Sequence, residues 1–463
     1  MKSVKNNNRN QVFAAAFEGL ETRNMMSATV HGHKSHKIAP VTPTAPVAPA
    51  PTTINMPLTI NQSGNVLNVT GTTGNDLIDI AQSGNTFTIK NGSWSTTVTG
   101  NFTKLVVKGN GANDSIKIEN SVTLNADVYG AAGDDTIIAN NGNDRIFTGA
   151  GKNTVTLGNG NDTVVALGST TATITAGTGL SSFWMDDNKN EVITNLTAVK
   201  QAASHVHKIS AFLGGSTMTN PAVTDNSMTY KNFSNLPLFS DAGPSANDIV
   251  QGYVGDCWFL SSLAATAKVS PDKIMNSVVD MGDGTYAVQF NQNGKNVFVH
   301  VDANLPTWYN QQAYASTKSS TGTSQLWVAI MEKAMAQFNG KNASYSNIDG
   351  GWMDTAFSAL GMTNTDIYAR TATDLGTQLL AAANAGKALT VGINTAPAGS
   401  SLIGGHAYTV DKMIVDATGK VTAVVLRNPW GVDGAGNDGK NDGYVTIAIS
   451  TLFTASYGGT AAI

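Results

Sequence analysis

The 463-residue chain contains one cysteine, Cys257, and its surroundings are typical of a catalytic thiol. Cys257 follows a glycine-rich turn and precedes a segment, 258–269, whose apolar residues repeat at helical spacing. A thiol at a helix N-terminus lies at the positive end of the helix dipole, which favours the thiolate. Because a lone cysteine forms no intrachain disulfide, it is either a nucleophile or a small buried core residue.

The other groups that a thiolate mechanism needs lie on both sides of Cys257 in the sequence. His406, in LIGGHAYTV, is the candidate base, and Asn428, in VVLRNPWG, is the candidate group that fixes its tautomer. Trp430 would shield the bond between them from water. Gln251 precedes the cysteine, and its amide would join the Cys257 backbone N–H in an oxyanion hole.

Four segments of the second half of the chain resemble, in this order, the calpain family of papain-fold cysteine proteases: QGYVGDCWFLSSLA, LWVAIMEKAMAQFNG, GGHAYTV and LRNPWG. The resemblance covers about residues 231–463 and implies an α+β core of two subdomains, one with the cysteine and the other with the histidine and asparagine. It places the family's nucleophile, base, orienting asparagine, oxyanion-hole glutamine and neighbouring tryptophan on Cys257, His406, Asn428, Gln251 and Trp430.

The same resemblance implies calcium within the protease core, where the ion draws the two subdomains into register. Asp248 and Glu332 match the family's ligands, and Asp442 and Asp433 are looser candidates in the second subdomain. Solvated loop carboxylates are the alternative. Since the sequence stops at Ile463, we expect none of the regulation that animal calpains obtain from a following β-sandwich and EF-hand domain.

The preceding segment, residues 58–180, has a different composition and a nine-residue period. It is rich in Gly, Asn, Asp and Thr and resembles the calcium-binding nonapeptide repeat of secreted repeats-in-toxin proteins. The resemblance implies a parallel β-roll in which apolar residues point inward and Asp carboxylates with turn carbonyls bind Ca²⁺. The candidate ligands are Asp76, Asp114, Asp135, Asp144 and Asp162, and Asn153 takes the position of one aspartate. Because the copies are degenerate, a solenoid that closes without metal is the alternative.

The first 57 residues are predicted to contain a sorting signal and a linker rather than a folded domain. Residues 1–38 contain FEGLETRNMMSA, which resembles a sorting motif of large exported bacterial proteins, and residues 39–57 are a proline-rich linker. His31, His33 and His36 would bind a divalent metal loosely or belong to a basic tail. We expect a protein that is secreted or displayed on a bacterial surface.

Composition narrows the possible partners. Only 13% of the residues are charged and the net charge is −4, which argues against a basic face for nucleic acid or an anionic membrane. No run approaches the roughly 20 apolar residues of a transmembrane helix. The predicted partners are therefore protein substrates, and the predicted cofactor is Ca²⁺.

The sequence thus predicts a multidomain chain with an all-β roll over 58–180, a connector over 181–230 and an α+β protease core over 231–463. Apolar spacing in the connector predicts a helix from Asn195 to Phe212. We expect the protease half to fold by itself from about Tyr230, because the roll carries none of the candidate catalytic residues.

The predicted function is that of a calcium-dependent cysteine endopeptidase. Two alternatives remain open at this point. A papain-type fold with these residues also supports transfer of the acyl group to an amine, as in transglutaminases. The chain would otherwise be a non-enzymatic calcium-dependent adhesion or surface protein with an idle protease domain.

Overall fold

The computed structural model describes residues 56–196, 205–215, 217–317, 324–340, 342–435 and 439–463. The predicted sorting motif, the three N-terminal histidines and nearly all of the proline-rich linker lie outside these ranges. None of the helices within them is long and apolar enough to cross a membrane.

The first half of the described chain is a β-roll built from two eight-stranded sheets, which confirms the predicted solenoid. Sheet A contains β1 (Thr59–Ser63), β2 (Val66–Thr70), β6 (Lys104–Lys108), β8 (Asn125–Tyr129), β10 (Arg145–Phe147), β12 (Thr163–Val165), β14 (Ser182–Asp186) and β16 (His205–Ile209). Sheet B contains β3 (Leu77–Ser83), β4 (Thr86–Asn91), β5 (Trp94–Thr99), β7 (Ser115–Ile118), β9 (Thr136–Ile138), β11 (Lys152–Thr156), β13 (Thr171–Thr175) and β15 (Val192–Thr194).

The nine-residue period produces this roll because successive repeats contribute a strand to alternate sheets. Strands of one sheet are therefore about two repeats apart and pair in parallel, as Ile146 does with Val164 in sheet A. Val155 pairs in the same way with Ile174 in sheet B. All four side chains are fully buried between the sheets, and this apolar interior stabilises the stack of coils.

Within the predicted connector helix, His205–Ile209 is instead a strand, so the prediction is wrong for these residues, and residues 197–204 lie outside the described ranges. His205–Ile209 forms β16, which pairs in parallel with β14 and extends sheet A beyond residue 180. The strand forms because the open edge of β14 satisfies its backbone groups and because alternate side chains pack on opposite faces. Val206 packs against the roll interior, whereas His207 stacks on Trp184 on the outer face.

The first subdomain of the predicted protease half carries four helices among its described residues, and they surround a buried apolar core. They are α1 (Cys257–Val269), α2 (Pro271–Met275), α3 (Trp327–Phe338) and α4 (Met353–Ala359), with 3-10 helices at Ala246–Asp248 and Tyr345–Ile348. Its strands form small sheets: β17 (Thr229–Asn232) with β22 (Asn304–Trp308) and β23 (Gln311–Gln312); β18 (Ile249–Val250) with β24 (Ser316–Thr317); and β19 (Val278–Asp280), β20 (Thr285–Gln292) and β21 (Lys295–Asp302).

The second subdomain is an antiparallel six-stranded sheet with two helices, which completes the predicted α+β core. The sheet order is β25-β30-β26-β27-β28-β29. These strands are β25 (Asn364–Ile367), β26 (Ala388–Ile393), β27 (His406–Val415), β28 (Val421–Arg427), β29 (Tyr444–Ala448) and β30 (Ser456–Ala462), and the helices are α5 (Ala372–Asn384) and α6 (Ile449–Ala455). Helix α1 confirms the predicted helical segment and packs against β26 and β27 of this sheet.

The inward row of the roll gives a direct stability prediction. Ile174 is fully buried in β13, so Ile174→Ala should lower the free energy of unfolding by about 2–5 kcal/mol through lost transfer energy and a cavity. Denaturant unfolding followed by circular dichroism measures this change. The adjacent Thr173 is exposed, so Thr173→Ala should stay within about 0.5 kcal/mol of the wild type. Equal effects of the two substitutions would contradict the inward assignment.

Candidate active site

The candidate nucleophile and base come from different subdomains and line one cleft. Cys257 is the first residue of α1, and His406 is the first residue of β27. Both border a cleft of about 270 Å³. The other residues that line it are Gly255, Trp258, Gly350, Gly351, Trp352, Met353, Gly392, Gly405, Ala407 and Tyr457. The cleft therefore offers a thiol and an imidazole to the same bound molecule.

Polar contacts between the subdomains hold the two catalytic elements in this arrangement. They include the Thr409 hydroxyl donating to the Ser261 carbonyl (2.7 Å), Lys268 Nζ to Asp411 Oδ1 (2.6 Å), Arg427 Nη2 to the Ile249 carbonyl (2.7 Å) and the Gln251 N–H to the Pro429 carbonyl (2.8 Å). The first two fix α1 against β27. The other two join the segment before Cys257 to the segment that carries Asn428.

Asn428 fixes the tautomer of His406. The distance between His406 Nε2 and Asn428 Oδ1 is 2.9 Å, and the Trp430 backbone N–H donates to the same oxygen at 3.0 Å. Since a carbonyl oxygen only accepts, Nε2 carries the hydrogen and Nδ1 remains the basic nitrogen. Asn428 is fully buried, and the Trp430 ring lies 4.9 Å from the imidazole between ring centroids. The pair is thereby protected from water.

Burial holds both reactive groups in their neutral forms when each is considered alone. It raises the pKa of the Cys257 thiol, although the Ala407 backbone N–H opposes this shift. It lowers the pKa of His406, and the hydrogen bond to Asn428 opposes that shift. Burial thus opposes the stabilisation of the thiolate that a helix N-terminus provides. Proton transfer from thiol to imidazole creates opposite charges together, and their attraction offsets part of the burial cost.

Gln251 is less directly placed for catalysis than the other candidates. Its Nε2 donates to the Val254 carbonyl at 2.8 Å, and its Oε1 is buried with no partner in the described part of the chain. Its side chain does not belong to the set that lines the cleft. One of its two amide hydrogens is thus engaged within its own loop, which leaves the second for an oxyanion.

The predicted calcium ligands of the roll form two separate stacks at the turns that precede the strands. The first is the Asp114 stack, whose members are Asp76, Asp114, Asp135 and Asn153. A side-chain oxygen of each member after Asp76 accepts the backbone N–H of the preceding member at 2.8–3.0 Å. The second is the Asp144 stack, in which the side chains of Asp144, Asp162 and Ser181 accept the backbone N–H groups of Ala126, Asp144 and Asp162, respectively, at 2.7–3.2 Å. The first stack borders sheet B, and the second borders sheet A.

Comparison with known protein families matches each half of the chain to a different family. Residues 223–440 match the calpain family cysteine proteases. Residues 129–164 match four copies of the RTX calcium-binding nonapeptide repeat.

The protease half is a calpain-family domain. Over this domain the chain is 31% identical to the calpain-1 catalytic subunit of Rattus norvegicus, 30% to calpain-B of Drosophila melanogaster and 33% to a calpain-type cysteine protease of Arabidopsis thaliana. Each match spans 42% of this chain and covers 29%, 23% and 9% of the respective relative. The chain thus spans less than a third of the length of these relatives.

The RTX stacks have the oxygen chemistry that calcium requires. One carboxylate oxygen, Oδ2, is buried and has no hydrogen-bond partner in the described chain at Asp114, Asp135, Asp144 and Asp162. A Cβ on Gly109 would lie 2.3 Å from Asp114 Oδ2 and 2.8 Å from the Gly130 carbonyl oxygen, so glycine keeps this cradle open. Calcium binds carboxylate and carbonyl oxygens of this kind. Asp114 and Asp135, or Asp144 and Asp162, would hold it with turn carbonyls.

The electrostatics of the two stacks agree with this interpretation. Burial raises the pKa of Asp114 and of Asp144 to about 7, and that of Asp162 to about 8. These carboxylates are thus costly to keep ionised unless a cation or a proton offsets the charge. No three acidic or imidazole side chains converge in the described residues, so backbone carbonyls must supply the remaining ligands.

Asp248 and Glu332, the predicted calcium ligands of the calpain-family domain, accept hydrogen bonds from different parts of the chain. Asp248 accepts the Ser245 N–H at 2.8 Å and the Trp327 indole N–H at 3.2 Å. Glu332 instead accepts the Ala315 N–H at 3.0 and 3.1 Å. The two carboxylates thus have different neighbours: Asp248 precedes β18, whereas Glu332 lies on α3 beside Asp256 at the start of α1. Their role as calcium ligands stays a prediction.

The looser candidates, Asp433 and Asp442, differ in burial and in hydrogen-bond partners. Asp433 is fully buried and accepts the Gly443 N–H at 2.8 Å through Oδ1, while its Oδ2 has no partner among the described residues. Asp442 is exposed and accepts the Tyr444 N–H at 3.1 Å. Asp433 also supports the catalytic asparagine, because its carbonyl accepts Asn428 Nδ2 at 3.3 Å. Its structural role is therefore to order the loop after Asn428.

Sequence reasoning missed the acidic residue directly before the nucleophile. Asp256 is fully buried, and its carboxyl group lies beside that of Glu332. Burial and then the neighbouring Asp256 carboxylate raise the pKa of Glu332 well above its ordinary value. The negative charge of Asp256 also contributes to raising the pKa of Cys257. The GDC segment contained this signal, since an acidic residue there opposes a thiolate.

His406→Ala should make the thiol of Cys257 less acidic than in the wild type. With the imidazole removed, burial still raises the thiol pKa, so thiolate forms only as the pH rises above the ordinary thiol range. Alkylation by iodoacetamide at neutral pH should slow by about tenfold or more, because the thiolate is the reacting form. Mass spectrometry of the single labelled cysteine across a pH series measures this. Identical pH profiles for variant and wild type would contradict the pairing of His406 with Cys257.

Proposed function

We propose that the chain is a calcium-dependent cysteine endopeptidase. The observation that carries this proposal is the cleft that Cys257 and His406 share, with His406 oriented by a fully buried Asn428. This arrangement supplies a nucleophile, a base and an orienting group in the order that thiol proteases use. The membership of the protease half in the calpain family supports the same reaction class.

In the proposed reaction, His406 Nδ1 takes the thiol proton as Cys257 Sγ bonds to the carbonyl carbon of a peptide. The backbone N–H of Cys257 and the second amide hydrogen of Gln251 stabilise the oxyanion. His406 then gives its proton to the departing amine as the C–N bond breaks, which leaves a thioester. Water attacks the thioester, His406 takes the proton of that water, and the thiol returns when the S–C bond breaks.

Apolar side chains border the cleft and indicate which substrates it prefers. Trp352 and Tyr457 pack edge to face with ring centroids 5.9 Å apart, and Met353 lies next to Tyr457. Trp352 nevertheless stays 62% exposed and Tyr457 45% exposed. An apolar substrate side chain would cover these rings and gain the corresponding burial energy.

A mixed peptide library tests this preference. Products should be enriched in peptides with an apolar side chain near the cleaved bond, and Trp352→Ala should raise KM for them by about tenfold, the effect of losing one good apolar contact. Tyr253 is also aromatic and exposed but does not line the cleft, so Tyr253→Ala is the matched control. Equal KM changes in the two variants would exclude the aromatic walls as the binding surface.

Two alternatives are distinguished by product analysis. Transfer of the acyl group to an amine would use the same thioester, and a fluorescent primary amine would then be incorporated into protein. An adhesion protein with an idle protease half would neither cleave nor be labelled by a thiol-directed epoxide. The organised His406–Asn428 pair favours an active enzyme over that alternative.

The calcium dependence in this proposal rests on the RTX repeats and on the unpartnered carboxylate oxygens of the two stacks. Weakly binding oxygen sites of extracellular modules fill only where calcium is abundant, which favours secretion or display on the surface of a bacterium. The known occurrence of such repeats in exported proteins agrees with this location.

Casein cleavage with excess calcium or excess chelator tests mechanism and calcium dependence together. Cys257→Ala should abolish cleavage and labelling, because the chain has no second thiol. Asn428→Ala should keep activity but lower kcat by about 10²-fold, since Asn428 orients the base rather than reacts. Full cleavage by Cys257→Ala would refute the nucleophile. Equal wild-type cleavage with and without chelator would refute the calcium dependence alone.

A further inference from the structure

The outer face of sheet A carries a row of apolar and aromatic side chains that a solvent-facing sheet would not have. Direct strand neighbours form this row: Tyr129, Phe147, Val165, Trp184 and His207, one each from β8, β10, β12, β14 and β16. The last four are buried. The corresponding row of sheet B contains one apolar residue, Ile138, and is otherwise polar; its other members are Lys117, Thr156, Thr175 and Thr194. Sheet A therefore has a packing partner, which sheet B does not require.

The partner of the outer row is the β19–β21 sheet of the calpain-family domain. Phe147, Val165 and Trp184 pack in one buried cluster with Val279, Ala287 and Phe298. The Trp184 and Phe298 rings meet edge to face at 6.2 Å between centroids. A Cβ on Gly282 would lie 2.6 Å from the Phe147 ring, which shows how closely the two halves approach.

Two polar contacts orient the halves within this cluster. Arg145 joins Asp127 of the roll to Asp280 of the protease half, with Nη1 3.4 Å from the Asp280 carboxylate. His207 Nδ1 lies 2.7 Å from Gln289 Oε1, so it donates to this oxygen. The contact is thus oriented as well as apolar.

The Asp144 stack is attached directly to the strands of this interface, and the Asp114 stack is not. Asp144 is followed by Arg145 and Phe147 of β10, and Asp162 is followed by β12 with Val165. These strands are only three residues long, so the preceding turn sets where their side chains lie. The Asp114 stack precedes the strands of sheet B, whose outer row is largely polar.

We propose that cation binding at the Asp144 stack fixes the outer row and thereby docks the roll on the β19–β21 sheet, whereas binding at the Asp114 stack stabilises the roll alone. The adjacent buried carboxylates of Asp144 and Asp162 repel each other unless a cation lies between them. Calcium at this stack holds β10 and β12 in register, and with them Phe147 and Val165. Calcium thus acts on the protease half through the interface with the roll, and not through the contact between the two subdomains.

Hydrogen exchange measured by mass spectrometry on the full chain tests this proposal. All variants carry Cys257→Ala to prevent self-cleavage, so the outcome does not depend on the proposed enzymatic activity. In the parent protein, hydrogen exchange of residues 285–302 should be at least about fivefold slower in excess calcium chloride than in excess EGTA. An effect of about fivefold is the lower end of the usual coupling between two sites. Magnesium chloride at equal concentration serves as the ion control.

Matched aspartate variants separate the two stacks. Asp144→Asn with Asp162→Asn should abolish the calcium response of residues 285–302, whereas Asp114→Asn with Asp135→Asn should retain it. Asparagine keeps the Oδ1 acceptor of each stack and removes the charge. If the first double variant does not fold, Asp162→Asn alone carries the test with the same expected loss. Loss of the response in both double variants, or in neither, would overturn the proposal.

Phe298→Ala provides an independent test at the other side of the interface. Calcium should still slow exchange in residues 145–165 of the roll, because both stacks are intact. It should no longer slow exchange in residues 285–302, because the ring that meets Trp184 is gone. An unchanged calcium response of residues 285–302 in Phe298→Ala would show that calcium reaches the protease half by another route, which contradicts the proposal.

Discussion

The contact between α1 and β27 is the constraint on which the candidate active site depends. Cys257 and His406 belong to different subdomains, whereas His406 and Asn428 belong to one, so only the thiol-imidazole pairing depends on how the subdomains pack. Reacting groups lose much of their effect when displaced by about 1 Å. The Thr409 hydroxyl bond to Ser261 and the packing of α1 on β26 and β27 are therefore as necessary to the site as the reacting atoms.

Buried carboxylates in both halves make the fold sensitive to its ionic surroundings. Asp144 and Asp162 lie buried in adjacent turns of the roll, and Asp256 lies beside Glu332 beneath the nucleophile. Burying a charge without a partner is costly, so such groups recruit a proton or a cation. In the roll, stacked carbonyl oxygens favour calcium. Below α1, Glu332 already accepts a backbone N–H, and a shared proton would offset the remaining repulsion.

Local motifs allowed the sequence to predict the roll, α1 and the two reactive residues of the cleft, Cys257 and His406, because each depends on neighbours within a short segment. The features that the sequence did not predict depend on tertiary contacts between distant segments. The helix predicted over Asn195–Phe212 was wrong at His205–Ile209, because the free edge of β14 decides the structure of these residues. The partners of Asp248 and Glu332 were also not predicted, since Trp327 and Ala315 reach them from other segments of the fold. The outer row was missed because its members are single residues in distant repeats.

The outer row also changes how the two halves of the chain relate to each other. Sequence alone favoured a protease half that folds by itself from about Tyr230. Without the roll, however, Val279 and Phe298 would face water on one side of the β19–β21 sheet, and His207 would no longer bind Gln289. Contiguous apolar patches of this kind are rare on monomeric soluble proteins. The roll therefore covers an apolar face of the calpain-family domain that the contact between its two subdomains leaves open, which argues against the predicted independent folding.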